Sequence, residues 1–158
     1  MNAPPELAPD PLQRLQAILD RSLDTASAAV RETFGHPDRQ MTAAEFVDFW
    51  QSVPLVAVAT VGGKGQPHIA PVHTRLEGAR LVTPVFENAT RRKDLRDNPR
   101  IALTAWRADR SVAIVYGRAQ ERPESRREAR PGRGGTQRHV VVLEIEITRI
   151  YALKGSAD

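Results

Sequence analysis

The sequence contains no cysteine. That excludes disulfides, thiolate zinc sites, iron–sulfur clusters and a cysteine nucleophile, and it agrees with a reducing, cytoplasmic compartment. Aromatic residues make up only 5%, which leaves few platforms for stacking nucleobases. Lysine is scarce: Lys64, Lys93 and Lys154 are the only three among 23 basic residues, and the rest are arginine. No apolar run approaches the ~20 residues that cross a bilayer as a helix. The first ten residues are Pro-rich and acidic, unlike a secretory leader. No Gly-x-Ser-x-Gly elbow is present, which argues against a serine hydrolase.

What is there suits one globular domain. The 158 residues are 41% apolar, enough to bury a core without staples. Net charge is +4, and most of it sits in one stretch, Gln120–His139, where six arginines face three glutamates. The remainder is nearly neutral, unlike the body of a dedicated nucleic-acid binder. A nucleic-acid-binding barrel, resting on the Arg-rich stretch alone, is therefore the weaker rival reading.

Periodicity divides the chain into a disordered arm (1–9), N-terminal helices (10–53) and a barrel (54–155). Asp10-Pro11 is a helix start, with a capping side chain followed by Pro at the first helical position. Leu12, Leu15, Leu19, Leu23, Ala26, Val30 and Phe34 then recur at steps of three and four, which predicts one helix of about six turns. Thr42 and Glu45 form a capping box for a second helix that Pro54 stops. From Leu55 the pattern becomes strand-like. Strands are expected over 55–61, 67–75, 80–86, 100–107, 111–122 and from Arg138. A short helix at about 89–97 follows the third strand, and an exposed Arg-rich loop spans 123–137. Gly62-Gly63-Lys64-Gly65 is a hairpin rather than a phosphate loop, because neither Ser/Thr nor a helix follows. Hairpin links and alternation give a mainly β, α+β fold: a six-stranded antiparallel barrel with N-terminal helices.

Few residues offer chemistry of their own. His68 and His73 share a strand but face opposite sides, so they cannot chelate one metal. No metal site is expected, and exposed or interface histidines are the plainer reading. The segment from Asn88 to Pro99 holds more. Asn88 can cap the helix, whose free N–H groups, with Thr90, Arg91, Arg92 and Lys93, would form an anion site. Each charge-assisted hydrogen bond to phosphate is worth ~1.5–3 kcal/mol. The same residues also read as a solvated basic turn, with Arg91 pairing with Asp94, or Lys93 with Asp97, for ~0–1 kcal/mol. Spacing alone leaves both open.

Three motifs in order add a resemblance: Gln66-Pro67-His68-Ile69-Ala70-Pro71-Val72, Arg91-x-x-Asp94-Leu95-x-x-Asn98-Pro99, and Val115-Tyr116-Gly117-Arg118-Ala119. Over about Phe46 to Gly155 the chain resembles the pyridoxamine 5'-phosphate oxidase-like FMN-binding split β-barrel superfamily, and its close is similar to the small flavin or deazaflavin reductase branch. The resemblance implies a homodimer with FMN, or a deazaflavin coenzyme, in the subunit interface, and hydride transfer through that cofactor to a small-molecule substrate. It also implies that His68, Ile69, Ala70, Pro71 and Val72 line the ring, with Pro84 and Val85 on the next strand. Thr90 and Arg91, with Arg92 and Lys93 adjacent, would hold the phosphate. By the same resemblance Trp106 matches a family aromatic position at the cofactor after the fourth strand, and Ser111 a polar position that reaches the partner subunit's flavin. The chain departs from the family pattern at Val85, where many members have Thr, and at Arg91, where Lys is usual. It also has the Arg-rich loop where a helix is common, and it lacks the substrate-binding C-terminal segment, so vitamin-B6 oxidation is not implied. A non-catalytic flavin carrier or sensor is a further alternative.

Overall fold

A computed structural model describes residues 10–123, 128–131 and 137–156. The proposed arm 1–9 and much of the Arg-rich loop lie outside them.

Asp10 accepts a hydrogen bond from the Leu12 N–H at 3.3 Å and starts α1 (Pro11–Asp24). The long first helix breaks, however. Thr25 Oγ1 donates back to the Arg21 carbonyl at 2.8 Å, and Ser27 caps a separate α2 (Ala28–Phe34). Ser and Thr next to a turn satisfy backbone groups locally, which competes with helix continuation. The apolar stripe that predicted one helix survives on both pieces. Leu15 and Leu19 enter the main core, while Ala26 and Phe34 form a small second core with Tyr151 and Leu153. α3 (Ala43–Ser52) has the expected capping box, and it buries Phe46, Phe49 and Trp50. The Trp50 indole N–H donates to Thr74 Oγ1 at 2.9 Å.

The sheet is antiparallel throughout. β1 (Val56–Val61) and β2 (Pro67–Val72) form the glycine hairpin, with Gly65 at φ +80°. The expected second strand divides at His73–Thr74, so that β3 (Arg75–Glu77) pairs instead with β4 (Arg80–Phe86). α4 (Thr90–Asp97) leads into β5 (Arg100–Trp106), β6 (Val112–Glu121), β7 (Glu128–Pro131) and β8 (Gln137–Leu153). Seven strands pair in the order β2-β1-β5-β6-β8-β4-β3, and β7 adds to β8. Part of the predicted loop is thus a strand: 128–131 pairs with 137–140, a hairpin that Arg, Gly and Pro composition obscures.

β8 is 17 residues long and serves three neighbours, β7 over 137–140, β4 over Val140–Glu146 and β6 over Leu143–Leu153. A register shift at Tyr116/Gly117 leaves Thr148 as an extra residue on β8, which bulges and bends there. Only glycine fits there, because a Cβ on Gly117 would stand 2.4 Å from the Glu146 carbonyl oxygen. Inward Val58, Leu103, Val115, Leu143, Ile145 and Ile150 then pack under α1 and α3 as the main core. Among the described residues, no helix is long and apolar enough to cross a membrane.

The barrel is not closed. Among the described residues β2 has one strand neighbour, and beyond β3 the stretch Thr83–Val85 of β4 pairs with β8 alone. These two free edges face each other across a split, bridged where Thr83 Oγ1 donates to the His73 carbonyl at 2.7 Å.

Candidate functional site

The split and the start of α4 create two cavities that share one side chain. The first, about 450 Å³, is lined by Thr60 on β1, Pro67–Ala70 on β2, and Thr90 and Arg91 on α4. The second, about 240 Å³, lies between Pro71–His73 on β2 and Pro84–Phe86 on β4, with Val140 behind. Arg91 lines both.

Arg91 is an unusual cation. It is partly buried, and its Nε has no hydrogen-bond partner. It makes no ion pair among the described residues, so the pairing with Asp94 that its spacing allows does not form. Burial pushes its pKa below the ordinary arginine value, and no neighbouring carboxylate offsets that. A buried guanidinium nitrogen without an acceptor costs free energy. An anion placed between the cavities would remove that cost. α4 also lacks a side-chain cap: its N-cap residue is Ala89, and Asn88, expected there, does not serve. Thr90 is exposed on the cavity wall beside Arg91.

Arg92 has other partners. It is buried and meets Glu121 through Nε and Nη2 at 2.5 and 3.1 Å, and Nη1 donates to the Glu87 carbonyl at 3.0 Å. The hydrogen bonds it donates to Glu121 raise its pKa. This bidentate pair ties α4 to β6, and Arg92 lines neither cavity. Lys93 is exposed and also lies off the walls.

One cluster has no counterpart in the sequence-level reading. Asp94 is buried, and its Oδ2 accepts from Thr60 Oγ1 and from His68 Nδ1, both at 2.7 Å. Gly62 makes the room: a Cβ there would stand 3.3 Å from His68 Cε1 and 3.4 Å from Asp94 Oδ1. His68 is thus a positioned imidazole, while His73 faces away and meets the Pro54 carbonyl. The separation of 26 and 34 residues from Asp94 to its two partners explains why no spacing rule finds it.

The remaining expected residues divide. Ile69, Ala70, Pro71, Val72, Pro84 and Val85 line one cavity or the other. Trp106 and Ser111 line neither and sit at the end of β5 away from α4. Ser111 is buried and accepts from the Gly155 N–H at 3.0 Å, holding the tail against the β5–β6 turn. Trp106 is 61% exposed on the outer face. That face is apolar across four strands. Ile69, Ala59, Ala102 and Tyr116 stand opposite one another in register, and Pro71, Ala57, Thr104 and Ile114 form the next row. Ile69 is 76% exposed.

Comparisons with known proteins agree with this architecture. The family model described as pyridoxamine 5'-phosphate oxidase matches residues 42–154. A putative pyridoxamine 5'-phosphate oxidase from Listeria innocua is similar in fold at 15% identity and TM-score 0.56, covering 69% of this chain and 95% of that one. An FAD-binding protein from Mesorhizobium loti is similar at 16% identity and TM-score 0.55, over 73% and 96%. HutZ, the heme storage protein from Vibrio cholerae, is similar at 13% identity and TM-score 0.55, over 71% and 95%. No curated protein matches the chain.

Proposed function

The chain belongs to the pyridoxamine 5'-phosphate oxidase family, and we propose that it is a cytoplasmic, FMN-dependent oxidoreductase acting as a homodimer on a small molecule. One observation carries the reading: the unpartnered, partly buried Arg91, shared by two cavities that flank the barrel split. Arg91 and Thr90 would hold the phosphate through charge-assisted and hydroxyl hydrogen bonds. Flavin, when bound, supplies hydride transfer, so the protein need only bind, orient and exclude water.

The chain's own part follows from the split. The outer-edge backbone groups of β2 and of Thr83–Val85 can hydrogen-bond the polar edge of a ring, as an added strand would. Val72 and Val85 are buried at the wall and offer apolar contact. Val85 supplies no hydroxyl, so orientation at that strand comes from backbone groups. Ser111 would act through the C-terminal tail that it holds, and Trp106 through the interface. The outer apolar face with Ile69, Trp106 and Tyr116 supports pairing with a second copy. Such pairing would also shield the first cavity, because Ile69 borders both.

A second reading has its own observation. Lys93, Arg100 and Arg118 make no ion pair among the described residues, and Arg100 lies opposite Arg118 in the sheet. Like charges placed so are unfavourable alone. They suit the longer acidic tail of a deazaflavin coenzyme. Absorbance spectra after gel filtration, with FMN or the deazaflavin in separate samples, decide between them. A retained flavin band supports the first reading and a retained deazaflavin band the second. No chromophore with either refutes both.

A further inference from the structure

The first cavity contains more than a cofactor phosphate needs, because a buried carboxylate has been placed behind its histidine. We propose that His68, positioned by Asp94 and Thr60, is the protonatable donor that selects a dianionic phosphate monoester, so that binding takes up a proton. This rests on the reading that a phosphorylated flavin occupies the site.

Asp94 Oδ2 is an acceptor for two donors, Thr60 Oγ1 and His68 Nδ1. That arrangement places the imidazole proton on Nδ1 and leaves Nε2 without a protein partner among the described residues. The ring is 38% exposed at the side chain and lines the cavity with Thr90 and Arg91. Few charges face it. α4 contributes Asp94 behind the ring and Arg91 on the shared wall, and β1 contributes only the Thr60 hydroxyl. Lys64, at the hairpin tip, is exposed, and the Asp97 carboxylate stands at the hairpin, 3.5 Å from where a Gly63 Cβ would be.

A phosphate dianion entering beside Arg91 adds negative charge on the open side of the ring, while Asp94 sits on the closed side. With the dianion bound the ring stands between two negative charges. Nε2 takes a proton from solvent and donates it in a hydrogen bond to a phosphate oxygen. No other bond forms or breaks. A phosphate monoester loses its second proton at about pH 6, so at neutral pH and above the ligand arrives as the dianion. Riboflavin, lacking phosphate, brings no such charge.

Isothermal titration calorimetry in two buffers of different ionisation enthalpy, near pH 7.5 and thus above the phosphate's second pKa of about 6, measures the proton count. Wild-type protein should take up a fraction of a proton, at most about one, per FMN. His68→Gln should take up none and bind FMN about tenfold more weakly, about 1.4 kcal/mol. Any riboflavin binding should be proton-neutral. In parallel, NMR should show the His68 ring titrating at higher pH when inorganic phosphate is added. FMN binding without proton uptake, or uptake undiminished in His68→Gln, overturns the proposal while leaving the flavin reading intact. If FMN does not bind, the flavin reading fails and the phosphate arm decides: a moved His68 titration upholds the anion site, and an unmoved one overturns it.

Discussion

Replacing Arg91 by methionine separates binding from folding. Methionine keeps an unbranched stem of similar reach and removes the guanidinium. Among the described residues the guanidinium has no carboxylate partner, and its Nε is buried without an acceptor. Its loss therefore strands no other group. Leaving a polar group unsatisfied costs roughly 1–3 kcal/mol, but Arg91 is partly exposed, so water recovers much of that cost. Arg91→Met should consequently be as stable as wild type, or more stable by up to about 1 kcal/mol. Binding should move the other way. One charge-assisted hydrogen bond to phosphate is worth about 1.5–3 kcal/mol, which is roughly a 10- to 150-fold rise in Kd for FMN. Urea denaturation of the ligand-free protein and quenching of FMN fluorescence measure the two quantities independently. A variant destabilised by more than about 1 kcal/mol would mean that Arg91 braces the fold through contacts other than hydrogen bonds. Unchanged FMN affinity would move the phosphate to another site. Either result refutes the reasoning.

Three further outcomes are expected. Arg92→Met should do the reverse of Arg91→Met: it removes two hydrogen bonds to Glu121 and one to the Glu87 carbonyl, so stability falls by about 1–3 kcal/mol in urea titrations, while the FMN affinity of the folded protein stays near wild type. Ile69→Glu places a charge on the β2 edge of the apolar outer face without touching the core, and light scattering should show a shift from dimer to monomer; an unchanged dimer would place the interface elsewhere. Glu77 is held at about 2, below its ordinary 4.5, by hydrogen bonds from Arg122 first and Arg75 second. Its carboxylate thus stabilises the fold above pH 4.5, and that contribution fades as pH falls from 4.5 toward 2; Glu77→Gln should flatten the acid limb of the stability curve in that window, and an identical limb would show that Glu77 contributes nothing there.

Local chemistry was legible in the chain. Asp10-Pro11 and Thr42-x-x-Glu45 cap helices because capping energy resides within a few residues. The glycine hairpin and the alternation along β8 mark strands for the same reason. The order of three motifs even carried the family, since each spans only a few residues. The break at Thr25–Ser27 was also local, yet an apolar stripe that runs on across it hid the Ser and Thr that make it. Likewise β3 separates from β2 only because β4 is there to receive it.

The side chains that decide the site were a different matter. Arg91, Arg92 and Lys93 are consecutive cations, equivalent on paper. Closure of the sheet brings Glu121 from β6 against Arg92, directs Lys93 to solvent, and leaves Arg91 alone at the split. Asp94 looked like a surface partner for Arg91 but is buried against Thr60 and His68. Sequence by itself determined the starts of α1 and α3 and most of the strands, because those follow from short-range periodicity and turn chemistry, while the family came from the resemblance of three short motifs. Only the tertiary structure decided which arginine is free to bind an anion. That depends on which carboxylates the sheet brings within hydrogen-bond reach, a distance of a few ångströms between residues tens of positions apart.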